Sequence, residues 1–330
     1  MLTFTVEQTA FAKAVADFCQ REAGTREQRD RLTANGAELH SQELYKKMAA
    51  LGWTGILVPE EYGGAGAGNV EMSILLEESM RAMAPIGGIG PTLITAAAYQ
   101  KFADEQLKKE VLTGVVDGDS LSVSMSEPEA GSDVANLTCR AEKVDGGWII
   151  NGQKTWCSNA HFADVRLPAD SVVGEVGGGW KQLMTGLNTE RLILAAMQLG
   201  VAQRASDDCL DFIRKREQFG RPVGTFQVIR HRMADLATEI EATRLLVYAV
   251  AKKVDESDPE ALFPREASMA TLKATELSKR VTLECMQSMG GYGYATEYGM
   301  ERMVRQAVVS TIFGGTNEVQ RDIIGKTLGL

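Results

Sequence analysis

A chain of 330 residues, 44% hydrophobic and 24% charged, has the make-up of an ordinary globular protein with ample length for a large core, and is neither disordered nor fibrous. Its formal net charge of -9 argues against a nucleic-acid binder, because the phosphate backbone selects for clustered Lys and Arg that this sequence does not carry. No apolar stretch is long enough to span a bilayer, and the start Met1-Leu2-Thr3-Phe4 has no basic region leading into an apolar run, so a cytoplasmic or equivalent reducing location is expected.

From Val6 to about Val116 the apolar period is helical: Phe11, Val15 and Phe18 share one face, and Leu44, Met48 and Leu51 share another. Between those helices, Val58 to Gly66 is a glycine-rich loop. The period then drops to two, where Leu121, Val123 and Met125 alternate with serines. Asp145-Gly146 and Asn151-Gly152 are hairpin signals, and together these features predict a small β segment. The helical period returns from about Glu175. Leu192 to Ala202 is apolar on almost every side, which predicts a helix buried all round. Its continuation turns Ala205, Cys209 and Phe212 inward and Asp207, Asp208, Asp211 and Arg214 towards water. Met233, Leu236, Ala237, Ile240, Val247 and Val250 mark another long amphipathic helix. After a turn at Asp255-Glu256-Ser257-Asp258-Pro259, a further helix begins with Pro264 in its first turn and stops at Gly290-Gly291. The predicted fold is mainly α: an N-terminal helical domain over 1–117, a small β domain over 118–174 and a C-terminal four-helix bundle over 175–330.

The five cysteines, Cys19, Cys139, Cys157, Cys209 and Cys285, are odd in number and far apart, with no Cys-x-x-Cys spacing, so neither a disulfide framework nor a zinc site is expected. His40, His161 and His231 are too few and too scattered to build a metal centre or a Ser-His-Asp triad. The chemistry is left to carboxylates or to a cofactor.

Six short strings carry that chemistry. Ser126 to Asp133 ends a β run in small and hydroxyl residues that can bring backbone N–H groups against a ring or a phosphate, or simply form a surface turn. Asn151 to Asn159 places Trp156 and Ser158 one residue apart, with Trp156 also able to fill a β-domain core. Arg216-Glu217-Gln218-Phe219-Gly220, followed by Phe226-Gln227, ends a helix with a charged fork suited to a pyrophosphate or to a solvated cap. Met286 to Tyr294 reads as a glycine C-cap. In Ile312 to Arg321, Thr316 can cap a final helix whose first N–H groups suit a phosphate. Finally, Glu190-Arg191 opens the long apolar run. A Glu in a helix's first turn serves the dipole and cap, whereas a partly desolvated one is a stronger base.

Taken in order, these strings resemble those of the acyl-CoA dehydrogenases over nearly the whole chain. The resemblance implies FAD as cofactor. It places Met125, Ser126, Gly131 and Ser132 of the first string and Trp156 and Ser158 of the second beside the flavin, with the Ser158 hydroxyl at N5. It assigns Arg216 to the pyrophosphate, flanked by Phe219 and Gln227, and gives Thr316 and Glu318 further cofactor contacts. Gln287, Gly290 and Gly291 would touch FAD bound mainly by a neighbouring subunit, which implies a homodimer or homotetramer. Many relatives carry the catalytic Glu where this chain has Gly314. A second branch, with the long-chain and isovaleryl enzymes, carries it in a Glu-Arg pair that Glu190-Arg191 matches.

By that resemblance Glu190 is the base, the Gly314 N–H and the flavin ribityl hydroxyl hold the thioester oxygen, and Ser132, Arg191 and Phe313 line the substrate. The implied reaction is α,β-dehydrogenation of an acyl-CoA to trans-2-enoyl-CoA, with an electron-transfer flavoprotein as acceptor. A non-catalytic FAD-binding or assembly subunit, and a flavin oxidase on the same fold, are the other readings. The sequence departs from the family after His161-Phe162-Ala163-Asp164, where Val165 runs straight into Arg166-Leu167-Pro168-Ala169-Asp170, so about half of the expected β domain is missing.

Overall fold

The computed structural model describes residues 4–157, 166–168, 171–258 and 261–330. In chain order the helices α1 (Val6–Ala23), α2 (Arg26–Leu32), α3 (Gln42–Ala49), α4 (Asn69–Arg81), α5 (Ile89–Phe102) and α6 (Glu105–Val116) precede three strands, β1 (Arg140–Val144), β2 (Gly147–Asn151) and β3 (Arg166–Pro168). The helix α7 (Gly179–Lys215) follows, then β4 (Glu217–Gln218), β5 (Arg221–Pro222), α8 (Gln227–Asp255), α9 (Pro264–Met289), α10 (Gly291–Tyr294), α11 (Met300–Ser310) and α12 (Asn317–Thr327). No helix among the described residues is long and apolar enough to cross a membrane. The chain divides into two compact units, one of Met1–Arg31, Gly68–Ala84 and Asn188–Leu330, the other of Leu32–Ala67 and Pro85–Leu187.

The first unit is helical apart from the short β4-β5 hairpin. Its core joins Leu199, Val201, Ala202, Ala205, Cys209 and Ile213 of α7 to Met233, Leu236 and Ile240 of α8 and to Leu277, Val281, Cys285 and Met289 of α9. The apolar stretch that demanded burial all round obtains it: Leu192 to Ala202 is buried except for the half-buried Met197. Ala237 is exposed, because Met233, Leu236 and Ile240 already fill the inward stripe of α8 and Ala237 falls at its edge. Helix ends are closed by side chains. Thr5 and Gln8 form a capping box on α1, and Asp255, the last residue of α8, accepts from Asn69 N (2.7 Å) and Val70 N (3.0 Å) to cap α4. The turn expected from Asp255 onward therefore does a second task.

One buried carboxylate ties the helices of this unit together. Glu77 of α4 is 5% exposed and accepts from Tyr248 Oη (2.8 Å) and Arg244 Nε (3.0 Å) of α8, while Arg244 also donates to Gln203 Oε1 of α7 (2.8 Å). Burial and the Glu77 charge push the Tyr248 hydroxyl well above its ordinary pKa, so it stays a donor.

The second unit combines α3, α5 and α6 with the small sheet. Val58, Ala96, Leu112 and Val115 form its apolar cluster. Leu44 and Met48 are buried, but α3 ends at Ala49 and Leu51 lies beyond it, 51% exposed. The sheet is antiparallel in the order β1-β2-β3. Asp145-Gly146 makes the two-residue hairpin that its sequence predicts, with Gly146 at φ 79°. Asn151-Gly152 does not, since β2 ends there and its second partner is β3. Leu121 to Met125 forms no strand despite its alternation. Alternation records which side chains face inward and supplies no ladder partner by itself.

Candidate functional site

The centre of the helical unit's chemistry is Glu190. The helix that bears it begins at Gly179, so Glu190 sits about three turns inside α7 and not in a first turn, which removes the dipole-and-cap reading. Burial raises the Glu190 carboxyl above its ordinary pKa, opposed by the adjacent Arg191 charge. Arg191 is 7% exposed, and its backbone carbonyl accepts from the Thr271 hydroxyl of α9 at 2.7 Å, which fixes α9 against α7 at this level.

Gly314, in the loop between α11 and α12, lies beside this carboxylate. A Cβ placed on Gly314 would stand 3.5 Å from Glu190 Oε1 and only 2.2 Å from Leu194 Cδ1, and the residue has φ 66°. Leu194 is one turn beyond Glu190 on the same face of α7 and is 6% exposed. A side chain at 314 is thus barred by backbone conformation and by Leu194, while the bare 314 backbone runs alongside the Glu190 carboxylate. Phe313, the preceding residue, is 43% exposed.

The cofactor strings of the same unit are surface features. Phe219 and Gly220, at φ 52° and 77°, make the two-residue turn between β4 and β5, and the Phe219 ring is 93% exposed. The Arg216 guanidinium lies over the Tyr292 ring, 5.2 Å from its centroid. Gln227 opens α8 and Gln287, Gly290 and Gly291 close α9, all four exposed. The Thr316 hydroxyl caps α12 through Val319 N (3.3 Å), and its neighbour Glu318 is held below the ordinary carboxyl range by the first-turn backbone and the Thr316 hydroxyl. Beside Thr316 is a cleft of about 500 Å³ whose walls include Lys279, Arg280 and Arg321. Glu276, which pairs with Arg321, and Glu318 line the same cleft, so the groups there that suit a phosphate are the α12 N-terminus with Lys279 and Arg280.

In the second unit the first two strings meet. Thr155 N donates to Ser126 O (2.9 Å), and Lys154 Nζ donates to Met125 O (3.0 Å). Trp156 is 92% exposed and adopts φ 59°, an unfavourable backbone state for a bulky residue. That overturns the reading of Trp156 as a filler of the β core and leaves a bare aromatic surface next to Ser126. Gly131 and Ser132 are exposed on the same loop, while Ser158 lies outside the described residues.

Two groups that hold these strings escaped the sequence reading. Glu127, 5% exposed, accepts from Lys154 Nζ (2.8 Å), from Thr138 N and Oγ1 (2.7 and 2.8 Å) and from Cys139 N (3.0 Å), which together lower its carboxyl to about 2. A signal existed, since Lys154 is the only basic residue of the two strings and Glu127 one of the three acidic residues that could pair with it. The other is Gln320 of α12, fully buried, whose amide donates to Gly314 O (3.1 Å) and Gly315 O (3.0 Å).

Known proteins resemble this chain from end to end. The family models "Acyl-CoA dehydrogenase, N-terminal domain", "middle domain" and "C-terminal domain" match residues 5–119, 122–169 and 177–329. A mitochondrial 2-methylacyl-CoA dehydrogenase of Solanum tuberosum is 33% identical over 378 residues, covering 97% of this chain and 90% of the relative. A mitochondrial isovaleryl-CoA dehydrogenase of Arabidopsis thaliana is 32% identical, covering 99% and 92%. The 378-residue alignment exceeds the chain's own length, so it opens gaps in this sequence. Among solved structures, the acyl-CoA dehydrogenase of Geobacillus kaustophilus superposes with a TM-score of 0.89 at 28% identity, covering 99% of each chain. The chain belongs to the acyl-CoA dehydrogenase family, oxidoreductases whose cofactor is FAD.

Proposed function

We propose that this protein dehydrogenates an acyl-CoA thioester to the trans-2-enoyl-CoA, with Glu190 removing the α-proton. The observation that carries the reading is the pairing of a carboxylate whose pKa is raised by burial with the side-chain-free backbone of Gly314. A raised pKa makes Glu190 a better proton acceptor than a solvated carboxylate, and the neighbouring Arg191 charge opposes that rise. An unaided carboxylate does not remove a proton this weakly acidic. The Gly314 N–H therefore acts as the donor that holds the thioester oxygen and stabilises charge developing there. Phe313 and Ser132 serve as further substrate contacts, which their exposure allows.

Bound FAD supplies the acceptor for the β-hydrogen with its electron pair. Trp156, Ser126, Arg216, Phe219 and Thr316 are the residues that would hold it, supported by the exposed aromatic surfaces and by the cleft beside Thr316. Met125, Gly131, Gln227 and Glu318 complete that set, with Gln287, Gly290 and Gly291 serving the cofactor of a neighbouring copy in a homodimer or homotetramer. An electron-transfer flavoprotein is the acceptor in this reading. A reducing, cytoplasmic location accords with five cysteines that are all free thiols.

The test is anaerobic titration of the FAD-loaded protein with a panel of acyl-CoAs. Wild-type flavin should bleach, and Glu190→Gln should bind FAD equally but bleach at least a hundredfold more slowly, by on the order of the contribution of a general base. Fast bleaching of the variant removes Glu190 from the role. A wild-type flavin that no acyl-CoA bleaches favours a non-catalytic subunit, and steady peroxide formation in air without an added acceptor favours an oxidase.

A further inference from the structure

We infer that Gln320 is a positioning residue that sets the Gly314 amide for the thioester oxygen, an inference that rests on the reading of Gly314 as that donor. Gln320 projects from the second turn of α12, and its side chain is wholly enclosed. Its one amide nitrogen donates to two successive carbonyls, Gly314 O at 3.1 Å and Gly315 O at 3.0 Å. Its own oxygen is buried without a hydrogen-bond partner, so the residue is held there for what it donates and at a desolvation cost.

The two residues it grips are those least able to hold a conformation by themselves. Gly314 and Gly315 have φ 66° and 82°, in a region that glycine enters and leaves freely, and no side chain is present to lock either peptide plane. The N–H groups of both glycines donate to no group among the described residues. A peptide plane fixed at its carbonyl is fixed at the N–H of the next residue, so the grip aims the Gly315 and Thr316 N–H groups directly, and the Gly314 N–H, on the plane before them, is held between this grip and the bond from Phe313 N to Val309 O (3.3 Å). The base of the grip is firm as well. Asn317, one turn before Gln320, accepts from the buried Thr275 hydroxyl of α9 at 2.9 Å, and Thr316 caps the helix. Without Gln320 the loop would retain its room, bounded by Leu194, but its amides would sample several directions, and an ill-aimed donor loses most of its electrostatic effect.

The experiment compares two ligands that differ only at the carbonyl. In FAD-loaded protein carrying Glu190→Gln, so that no ligand is consumed, the affinities of isovaleryl-CoA and of its S-isoamyl thioether are measured, with and without Gln320→Met. The parent should prefer the thioester, and Gln320→Met should cut that preference about tenfold while leaving thioether affinity unchanged, the scale of one hydrogen bond. In the Glu190-containing enzyme the same substitution should lower kcat/KM for the acyl-CoA about tenfold or more, with KM rising as thioester affinity falls. Gln320→Glu, whose buried carboxyl stays protonated and keeps a single O–H donor, should lose only part of the preference, and it serves if the Met variant does not fold.

An undiminished thioester preference in both variants overturns the role of Gln320 alone. A parent that binds both ligands equally overturns the Gly314 donor and, with it, this inference. A parent that binds neither overturns the acyl-CoA reading itself. Persistent bleaching of Glu190→Gln is a separate failure, of the base assignment, and leaves the binding comparison intact.

Discussion

The helical unit and the small sheet hold their shape by different means. In α7, Leu192 to Ala202 is enclosed almost completely, and four further helices, α4, α8, α9 and α11, contribute buried apolar side chains to the same core. In the sheet, every residue of β1 is exposed, and Val144, Ile149 and Ile150 are 41%, 37% and 42% exposed. Ile149 and Ile150 are successive and so point to opposite faces, which means that neither face of the sheet is fully covered. The sheet lies within residues 122–169, which match the family's middle domain. What replaces apolar burial there is the Glu127 hub, four donors converging on one carboxylate. Where a core cannot be large, charge-assisted hydrogen bonds take a greater share of the work.

If that contrast is right, the helical unit should suffer most when the buried Glu77 carboxylate is removed from its partners. Glu77→Ala strips the buried acceptor from Tyr248 and from Arg244 Nε, leaving the half-buried guanidinium with Glu241 Oε2 (2.7 Å) and Gln203 alone. The expected loss is about 3–5 kcal/mol in chemical denaturation, the scale for breaking a buried ion pair. Tyr248→Phe, which removes one neutral donor, should cost only about 1 kcal/mol. A negligible effect of Glu77→Ala would show that the helices are held by apolar packing alone.

The same contrast explains what could be read in the sequence. The long helices were legible because a 3.6-residue period over many turns admits one solution, as the burial of Leu192 to Ala202 and the stop at Gly290 bear out. Leu51 and Ala237 were misplaced because each sits at the margin of a stripe, where the end of a helix or one extra degree of turn decides exposure. Leu121 to Met125 was misread as a strand because alternation names a face without supplying a neighbour. Glu190 was seen as a candidate base, but its helix was begun too late, because Gly179 to Asn188 has polar and glycine residues that hide the preceding turns. Gln320 and Leu194 were invisible for another reason. Their part depends on which loop α12 and α7 face, and no spacing along one chain encodes that.

Gly314 offers an intermediate effect that tests the site's packing directly. Gly314→Ala imposes a side chain at φ 66°, at a cost of about 1–2 kcal/mol, and drives Cβ into Leu194, at about 1–3 kcal/mol. Combining it with Leu194→Ala should recover part of the steric share, giving a favourable coupling of about 1 kcal/mol in a double-mutant cycle of unfolding free energies. Strict additivity would mean that Leu194 yields without strain and does not enforce the glycine.

The smallest effect at neutral pH, and the most specific, belongs to the sheet. The hydrogen bonds from Lys154, Thr138 and Cys139 hold the Glu127 carboxyl at about 2, below the roughly 4.3 of an unfolded chain. A depressed pKa stabilises the folded form fully above the unfolded value, and that contribution fades as pH falls from about 4.3 towards 2, where Glu127 takes up its proton. Hydrogen exchange at the Thr138, Cys139 and Thr155 amides, corrected for intrinsic rates, should therefore lose protection across that window. Glu127→Gln keeps the shape but cannot titrate, so its protection should be lower at pH 7 and flat on acidification. Because Lys154 also holds Met125 O, the loosened variant should in addition bind FAD more weakly, with the Glu77 hub unaffected. Protection that falls equally in wild type and variant would locate the acid sensitivity in some other carboxylate and return the sheet's cohesion to its backbone ladder.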